Sequence, residues 1–463
     1  MDNYRDMERY RDNALGQLCM LQAYSHLMYF FPMPENTTKD QIIRDLTAAV
    51  TKIRQAVPWV GCRVINTGRA EGCSGTYFPV ACDLPSPAVD ARDLTDDASV
   101  SPYHDFQQRR APVSMINTGR LTSVPGFPVQ VNVDADAEPA HVLRVQANFI
   151  RGGVLVDFAM QHNMADARGH FGVIRMVAAA MRGESFPTRL LDEACRDRRT
   201  ALPLLGEFET MLDHSHHKRP PVTPNTPLAP PAAARYHAFR FSRASMEALR
   251  QVAGSGSSNG ARCQVPEPVA ISVDDAICAL SWQRLTMARR CQLSDAAPSR
   301  FGRQADGRRL IGLSPDYMAD VVHTVSAWLT VEQLATMPLS SVAAHLRARL
   351  DETNTAYNLR SFATFVAREP DKSTITYAGT FDPAIDVGCT STRGMWREAF
   401  PNFGLLGVPQ FIRRPPSILF PSTLGLFPGT ATGDCDAVAC LTDRDFQALM
   451  ADAEWLKFAE YLG

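Results

Sequence analysis

Apolar and polar positions alternate along this chain in two different rhythms, and the switches between them outline its elements. Lys39 to Val57 places Ile42, Ile43, Leu46, Ala49, Val50 and Ile53 at helical spacing, which predicts an amphipathic helix. Val142 to Ile150 and Val154 to Met160 are strand-like, and Arg151-Gly152-Gly153 between them predicts a hairpin turn. Beyond Gly169, residues Phe171, Ile174, Val177, Ala178 and Met181 return to helical spacing. In the second half Ala238 to Ser242 predicts a strand and Arg243 to Val252 a helix. Ser272 is placed to cap a longer helix, Val273 to Arg289, with acidic residues in its first turn and basic ones late. Leu310 to Leu313 reads as a short strand, Val331 to Leu350 as mostly helical, and Ser373 to Tyr377 as a further strand. Strands and helices alternate throughout, so the fold class is mixed α/β.

One stretch interrupts both rhythms. Residues 219–234 carry six prolines in sixteen positions, which excludes regular helix and central strand and predicts an extended connector. It divides the chain into an N-terminal domain, 1–218, and a C-terminal domain, 235–463. A second polar stretch, Gly254 to Gly260, reads as a surface loop. It lacks the Lys-Ser/Thr ending of a phosphate-binding loop. With 463 residues the chain is too long for one ordinary core. No internal repeat is visible at solenoid or propeller periods.

Composition narrows the function. Apolar residues make up 45% and charged residues 21%, as in globular proteins, and the net charge is −2. There is no general basic field for nucleic acid, no apolar run long enough to span a membrane, and no signal-type apolar core after the charged N-terminus. Eleven cysteines without a CxxC pair are expected to be reduced, and the protein is expected in the cytoplasm, without a bound metal. Asp213-His-Ser-His-His217 is the densest set of ligand-type side chains and reads as a solvated loop rather than a metal site. Trp282 reads as a core residue of its helix.

The segment with the clearest chemistry is His162-Asn-Met-Ala-Asp166, directly after the apolar strand that ends near Met160. A His where a rigid strand turns can face a cavity with its ring held, and a neutral imidazole accepts a proton near neutral pH. An Asp four residues on can tie down the turn. The same spacing also arises in chains where the His only packs.

These segments, taken in order, resemble the BAHD superfamily of acyl-CoA-dependent acyltransferases, closest to its fungal trichothecene 3-O-acetyltransferase-like branch. His162 and Asp166 match the family's HxxxD. Ser272-Val-Asp-Asp-Ala-Ile-Cys-Ala-Leu-Ser-Trp282 matches its S-x-x-D-A-x-x-A-L-x-W helix, and Asp306-Gly307-Arg308 its D-G-R segment. Thr390-Ser391-Thr392 resembles T-S-W with Trp replaced, and Asn402-Phe403-Gly404-Leu405-Leu406-Gly407 resembles the D-F-G-W-G region, followed by Pro409 and Arg413-Arg414-Pro415. The resemblance runs from about Leu15 to the end. It departs from the pattern at Gln161 and Ala167, which flank the HxxxD, at Asn402, where the family carries Asp, and at Ala319-Asp320, where the family carries Gly-Asn in the CoA pocket.

The resemblance implies a two-domain fold of the chloramphenicol acetyltransferase type, a mixed sheet with flanking helices in each half, and a channel between them. It implies acyl transfer from a CoA thioester, acetyl-CoA by default, to a hydroxyl of a fungal secondary metabolite such as a terpenoid or polyketide. His162 would be the general base. Asp166 would support its loop by pairing with an Arg, for which Arg284 is the candidate. Thr390 or Ser391 would donate to the oxyanion, and Arg308, Arg309 and Ser281 would contact CoA. Arg300 and Arg303 belong to the same basic cluster as Arg308 and Arg309. No permanent cofactor, nucleic acid or membrane partner is implied, and a monomer is expected. Two other readings compete: CoA-independent chemistry in the same fold, such as condensation with a carrier-bound acyl group or cyclisation, and a non-catalytic ligand-binding protein.

Overall fold

A computed structural model describes residues 7–11, 14–82, 87–219, 233–255, 270–417 and 419–463. The predicted connector lies almost wholly outside the described residues: Arg219 donates its backbone N–H to Thr374, and Ala234 already begins a strand. Most of the predicted Gly254–Gly260 loop lies outside them too.

The first half is built on a five-stranded sheet. Its strands, in spatial order, are β12 (Phe411–Arg413), β1 (Tyr24–Pro32), β7 (Gly153–Gln161), β6 (Leu143–Ile150) and β4 (Asp90–Asp93). The β6–β7 hairpin turns through Arg151 and Gly152, and Gly152 has a φ of 80°, which glycine tolerates without strain. β7 is buried along its whole length because it is central in the sheet and covered on both faces. Helices α1 (Lys39–Ala56) and α2 (Ala167–Met181) pack together over one face. Thr38 caps α1 by accepting from Gln41 N–H at 3.2 Å, and the predicted stripe turns Ile42, Leu46, Ala49, Val50 and Ile53 into the core. A small sheet of β2 (Arg63–Thr67), β3 (Thr76–Val80) and β5 (Ala140–His141) stands beside it.

The second half carries a seven-stranded sheet in the order β10 (Val322–Thr330), β9 (Pro298–Asp306), β11 (Val387–Ser391), β13 (Thr423–Pro428), β14 (Cys435–Thr442), β8 (Ala234–Phe241) and β15 (Glu460–Tyr461). Helices α3 (Arg243–Gly254), α4 (Val273–Arg289) and α5 (Leu339–Thr353) form its second core. The bounds of α4 are those predicted. Ser272 and Asp275 form a reciprocal capping box at its start, with bonds of 3.1 and 3.0 Å. Trp282 is fully buried and donates its indole N–H to Ser299 Oγ at 2.8 Å.

The halves interlock. β12 comes from the second half but pairs with β1 of the first, and a third apolar cluster joins Leu15, Leu18 and Leu202 to Tyr317, Val321 and Phe362. Among the described residues no helix is long and apolar enough to cross a membrane. The ten described cysteines are free, with Cys278 and Cys389 approaching to 3.7 Å between sulfurs.

Three expectations need correction. Leu310 to Leu313 is not a strand: residues Arg308–Ile311 form a 3₁₀ turn, because the segment wraps around the buried Arg308 side chain instead of pairing. Ser373 to Tyr377 contributes only a turn and one isolated bridge, Lys218 to Ile375. Asp213 to His217 is not a solvated loop. His214 and His217 are buried against Phe362, and His214 Nε2 lies 2.9 Å from Ser361 Oγ.

That burial has a consequence in acid. Burial, reinforced by neighbouring histidines, pushes His217 and His170 down to about 3 and His214 down to about 4. Unfolded histidines take up protons near 6.5, so below about pH 6.5 the unfolded chain binds more protons than the native one and stability falls. Each such histidine contributes about 1.4 kcal/mol per pH unit until its native value is reached. The denaturation midpoint is expected to drop between pH 7.5 and 5, and a midpoint that stays level or rises would contradict this account.

Candidate active site

β7 ends at the buried Gln161, and the chain turns there, beside a cavity that His162 lines, before α2 begins. His162 sits in that turn, with its backbone N–H donating to Ala23 at 2.8 Å. Asn163 anchors the next position by donating its side-chain amide to Gly16 at 2.7 Å. Between two fixed backbone points the imidazole has little freedom. His162 Nδ1 is shut off from solvent and lies 3.8 Å from Asp320 Oδ2, beyond hydrogen-bond reach. Nε2 is the nitrogen left to face the cavity that His162 lines. Burial is the main reason that the ring's pKa falls below the ordinary imidazole value. A hydrogen bond to its own backbone opposes this, the positive charge of Arg414 lowers it further, and Asp166 raises it least of all.

Asp166 points the other way, into the protein. It caps α2 by accepting from Gly169 N–H at 3.0 Å, and it receives Arg308 through two N–H groups at 2.8 and 2.9 Å and Val321 N–H at 3.2 Å. Arg308 spends its remaining donors on Asp306 Oδ1 and on the carbonyls of Tyr317 and Ala319. Burial opposes its charge, but Asp166 and Asp306 outweigh it and hold the guanidinium above its ordinary value. Gly169 lets this segment approach: a Cβ there would come within 2.0 Å of the Met318 carbonyl oxygen.

The cavity has a volume of about 1220 Å³ and is lined from both halves. Thr390 and Ser391, at the end of β11, both stand on its wall. Ser391 Oγ donates to Asp274 at 3.1 Å, whereas the Thr390 hydroxyl makes no hydrogen bond among the described residues. Thr392, in place of the family's Trp, is buried with its hydroxyl directed at the Leu426 carbonyl.

Other predicted site residues fall elsewhere. Arg284 pairs with Asp452 at 2.6 Å, so Arg308, not Arg284, holds Asp166. Arg308 is therefore a structural ion-pair residue with every N–H engaged and none left for CoA. Ser281 is buried inside α4 and does not reach the cavity, and Arg309 is exposed away from it. Arg303 is committed to Asp275 at 2.6 Å, and Arg300 to the Ala378 carbonyl and Asp386. Asn402 replaces the missing charge with local bonds: its side chain accepts from Gly404 N–H at 2.8 Å and its carbonyl accepts from Arg182. Asp320 is buried beside His162. The D-G-R spacing hinted at that position but not at the imidazole it faces.

An α/β fold of two interlocked halves around a shared cavity, with an HxxxD histidine on the cavity wall and the aspartate buried, defines an acyltransferase of the BAHD type. The trichothecene 3-O-acetyltransferase-like N-terminal domain model matches residues 23–181 and the Transferase family model matches residues 117–456, so the chain belongs to that family. It is 46% identical to O-acetyltransferase epaC of Aspergillus niger, covering 99% of this chain and 98% of that protein. It is 40% identical to O-acyltransferase pigD of Monascus ruber, covering 97% and 98%. Among solved structures it resembles F. graminearum TRI101 complexed with coenzyme A and deoxynivalenol. The TM-score is 0.87 and the identity 28%, covering 98% of this chain and 99% of that one.

Breaking one side of a buried charge pair strands the other. Asp166→Asn and Arg308→Met are each expected to cost roughly 3–5 kcal/mol, read as a lowered denaturation midpoint. The double variant should lose much less than the two costs added together. Additive losses would show that the pair does not act as a unit.

Proposed function

We propose that this enzyme transfers an acyl group, acetyl by default, from a CoA thioester to a hydroxyl of a small secondary metabolite, with His162 as general base. The observation that carries the proposal is the position of His162: a half-buried imidazole whose desolvation favours the neutral form, with Nε2 turned to a cavity roomy enough for two substrates. The naming of its relatives as O-acetyltransferases over nearly their whole length supports the same reading, as does a CoA complex in a protein of the same fold.

The chemistry needs little else from the chain. Nε2 takes the hydroxyl proton as the acceptor oxygen bonds to the thioester carbon. The carbonyl oxygen becomes an oxyanion, and Thr390 is the better of the two predicted donors because its hydroxyl is uncommitted, whereas Ser391 is already turned to Asp274. Collapse of the intermediate breaks the C–S bond, and the imidazolium returns its proton to the thiolate. The products are an ester and free CoA. Asp320, on the Nδ1 side, favours the imidazolium that forms in between. No enzyme nucleophile is required.

His162→Ala is expected to keep acetyl-CoA binding, measured by calorimetry, and to lose roughly 10²–10⁴ in acceptor-dependent thiol release. Retained turnover would remove His162 as the base. A wild-type protein that binds neither acetyl-CoA nor CoA would point instead to a carrier-bound donor. In wild type, transfer should hold steady as pH falls through 6.5 and decline only further into acid, because the depressed pKa keeps Nε2 unprotonated there. A decline centred above pH 7 would contradict the burial of the ring.

A further inference from the structure

The cavity wall holds several arginines, and all but two of them are committed elsewhere. Arg168 pairs with Asp306 at 3.1 Å, Arg300 is held by Asp386 and the Ala378 carbonyl, and Arg308 is saturated. Arg219 is exposed, where water solvates it. Arg414 is different. It follows β12, and alternation along the chain separates it from Arg413, which is buried on Asp436 at 2.9 Å and on the carbonyls of Ala111 and Arg110. Arg414 instead lines the cavity, and among the described residues it has neither a carboxylate within ion-pair distance nor a hydrogen-bond partner. What it has is the face of Phe127, with its guanidinium carbon 5.7 Å from the ring centroid, and a nearby Tyr236 whose burial keeps it neutral.

Phe127 is also the ring beside the base: its centroid lies 5.9 Å from that of His162 and 6.4 Å from that of Phe420. One aromatic ring therefore separates the unpaired cation from the reacting atoms. An unpaired cation in a largely apolar wall is costly, and burial holds Arg414 below its ordinary value. Such a group is retained where a ligand supplies the counter-charge. The guanidinium fork suits a planar anionic oxygen pair. CoA cannot supply that anion here, because its pantetheine arm holds the phosphates far from the thioester carbonyl at His162.

We propose that Arg414 is the anion-recognition residue for the acceptor, and that the acceptor carries, besides the hydroxyl that is acylated, an acidic oxygen such as a carboxylate or an ionised enol or phenol. The proposal rests on the acyl-transfer reading of the cavity and names the acceptor class within it.

The test is calorimetric titration of the full-length protein, saturated with free CoA, with β-resorcylate and with its uncharged methyl ester, alongside acetyl-CoA titrated into the CoA-free protein. The variants are Arg414→Met and Arg414→Lys, with thermal midpoints recorded to confirm folding. Wild type should bind the acid at least about tenfold more tightly than the ester. Arg414→Met should erase that preference while leaving ester and acetyl-CoA affinities within about twofold, and Arg414→Lys should restore part of it. Equal binding of acid and ester by wild type, no saturable binding of the acid, or an undiminished preference in Arg414→Met overturns the proposal. So does a selective loss of acetyl-CoA affinity in that variant, which would hand the cation to CoA. If acetyl-CoA fails to bind while the acid preference still follows Arg414, the acyl-donor reading falls and the anion site stands.

Discussion

The bidentate contact between Asp166 and Arg308 ties together the two parts of the chain from which the site is made. Asp166 closes the turn that carries His162 and caps the helix behind it. Arg308 gathers the 306–321 segment of the other half through Asp306, Tyr317 and Ala319. Neither charge is exposed to water, so each needs the other to be tolerable inside the protein. The wall of the cavity exists because these segments meet at this pair. The His162 ring makes no bond to Asp166: the aspartate acts on the backbone that aims the ring.

Around His162 the protein works by exclusion as much as by contact. Burial and a neighbouring cation both favour the neutral imidazole, the form that can accept a proton. The buried carboxyl of Asp320 lies on the opposite side from the open nitrogen and weighs the other way once a proton arrives. The uncommitted hydroxyl of Thr390 and the unpaired guanidinium of Arg414 stand on the same cavity wall as polar groups with no partner among the described residues.

Much of the architecture was legible in the pattern of residues. The α1 and α2 stripes, the glycine turn of the β6–β7 hairpin and the Ser272 cap of α4 all rest on local physics: side-chain periodicity, positive φ and side-chain capping. The two predicted strands that failed, near Leu310 and Ser373, are short segments with no partner strand in register, and a strand exists only by pairing. His162 and Asp166 were legible because they share one turn. The role of Arg308 was not, because its partner lies 142 residues away and a basic cluster looks the same whether it meets phosphate or a buried carboxylate.

What the sequence determined by itself was therefore the set of local elements, the family and the His162–Asp166 pair at the turn. Those follow from order, spacing and periodicity within short windows. Only the tertiary structure decided which arginine holds Asp166, that Asp320 rather than Asp166 faces the imidazole, that Ser281 and Arg309 miss the cavity, and that Arg414 reaches it unpaired. Each of these depends on how two halves of the chain dock, and docking sets burial and charge pairing across distances that no local pattern encodes.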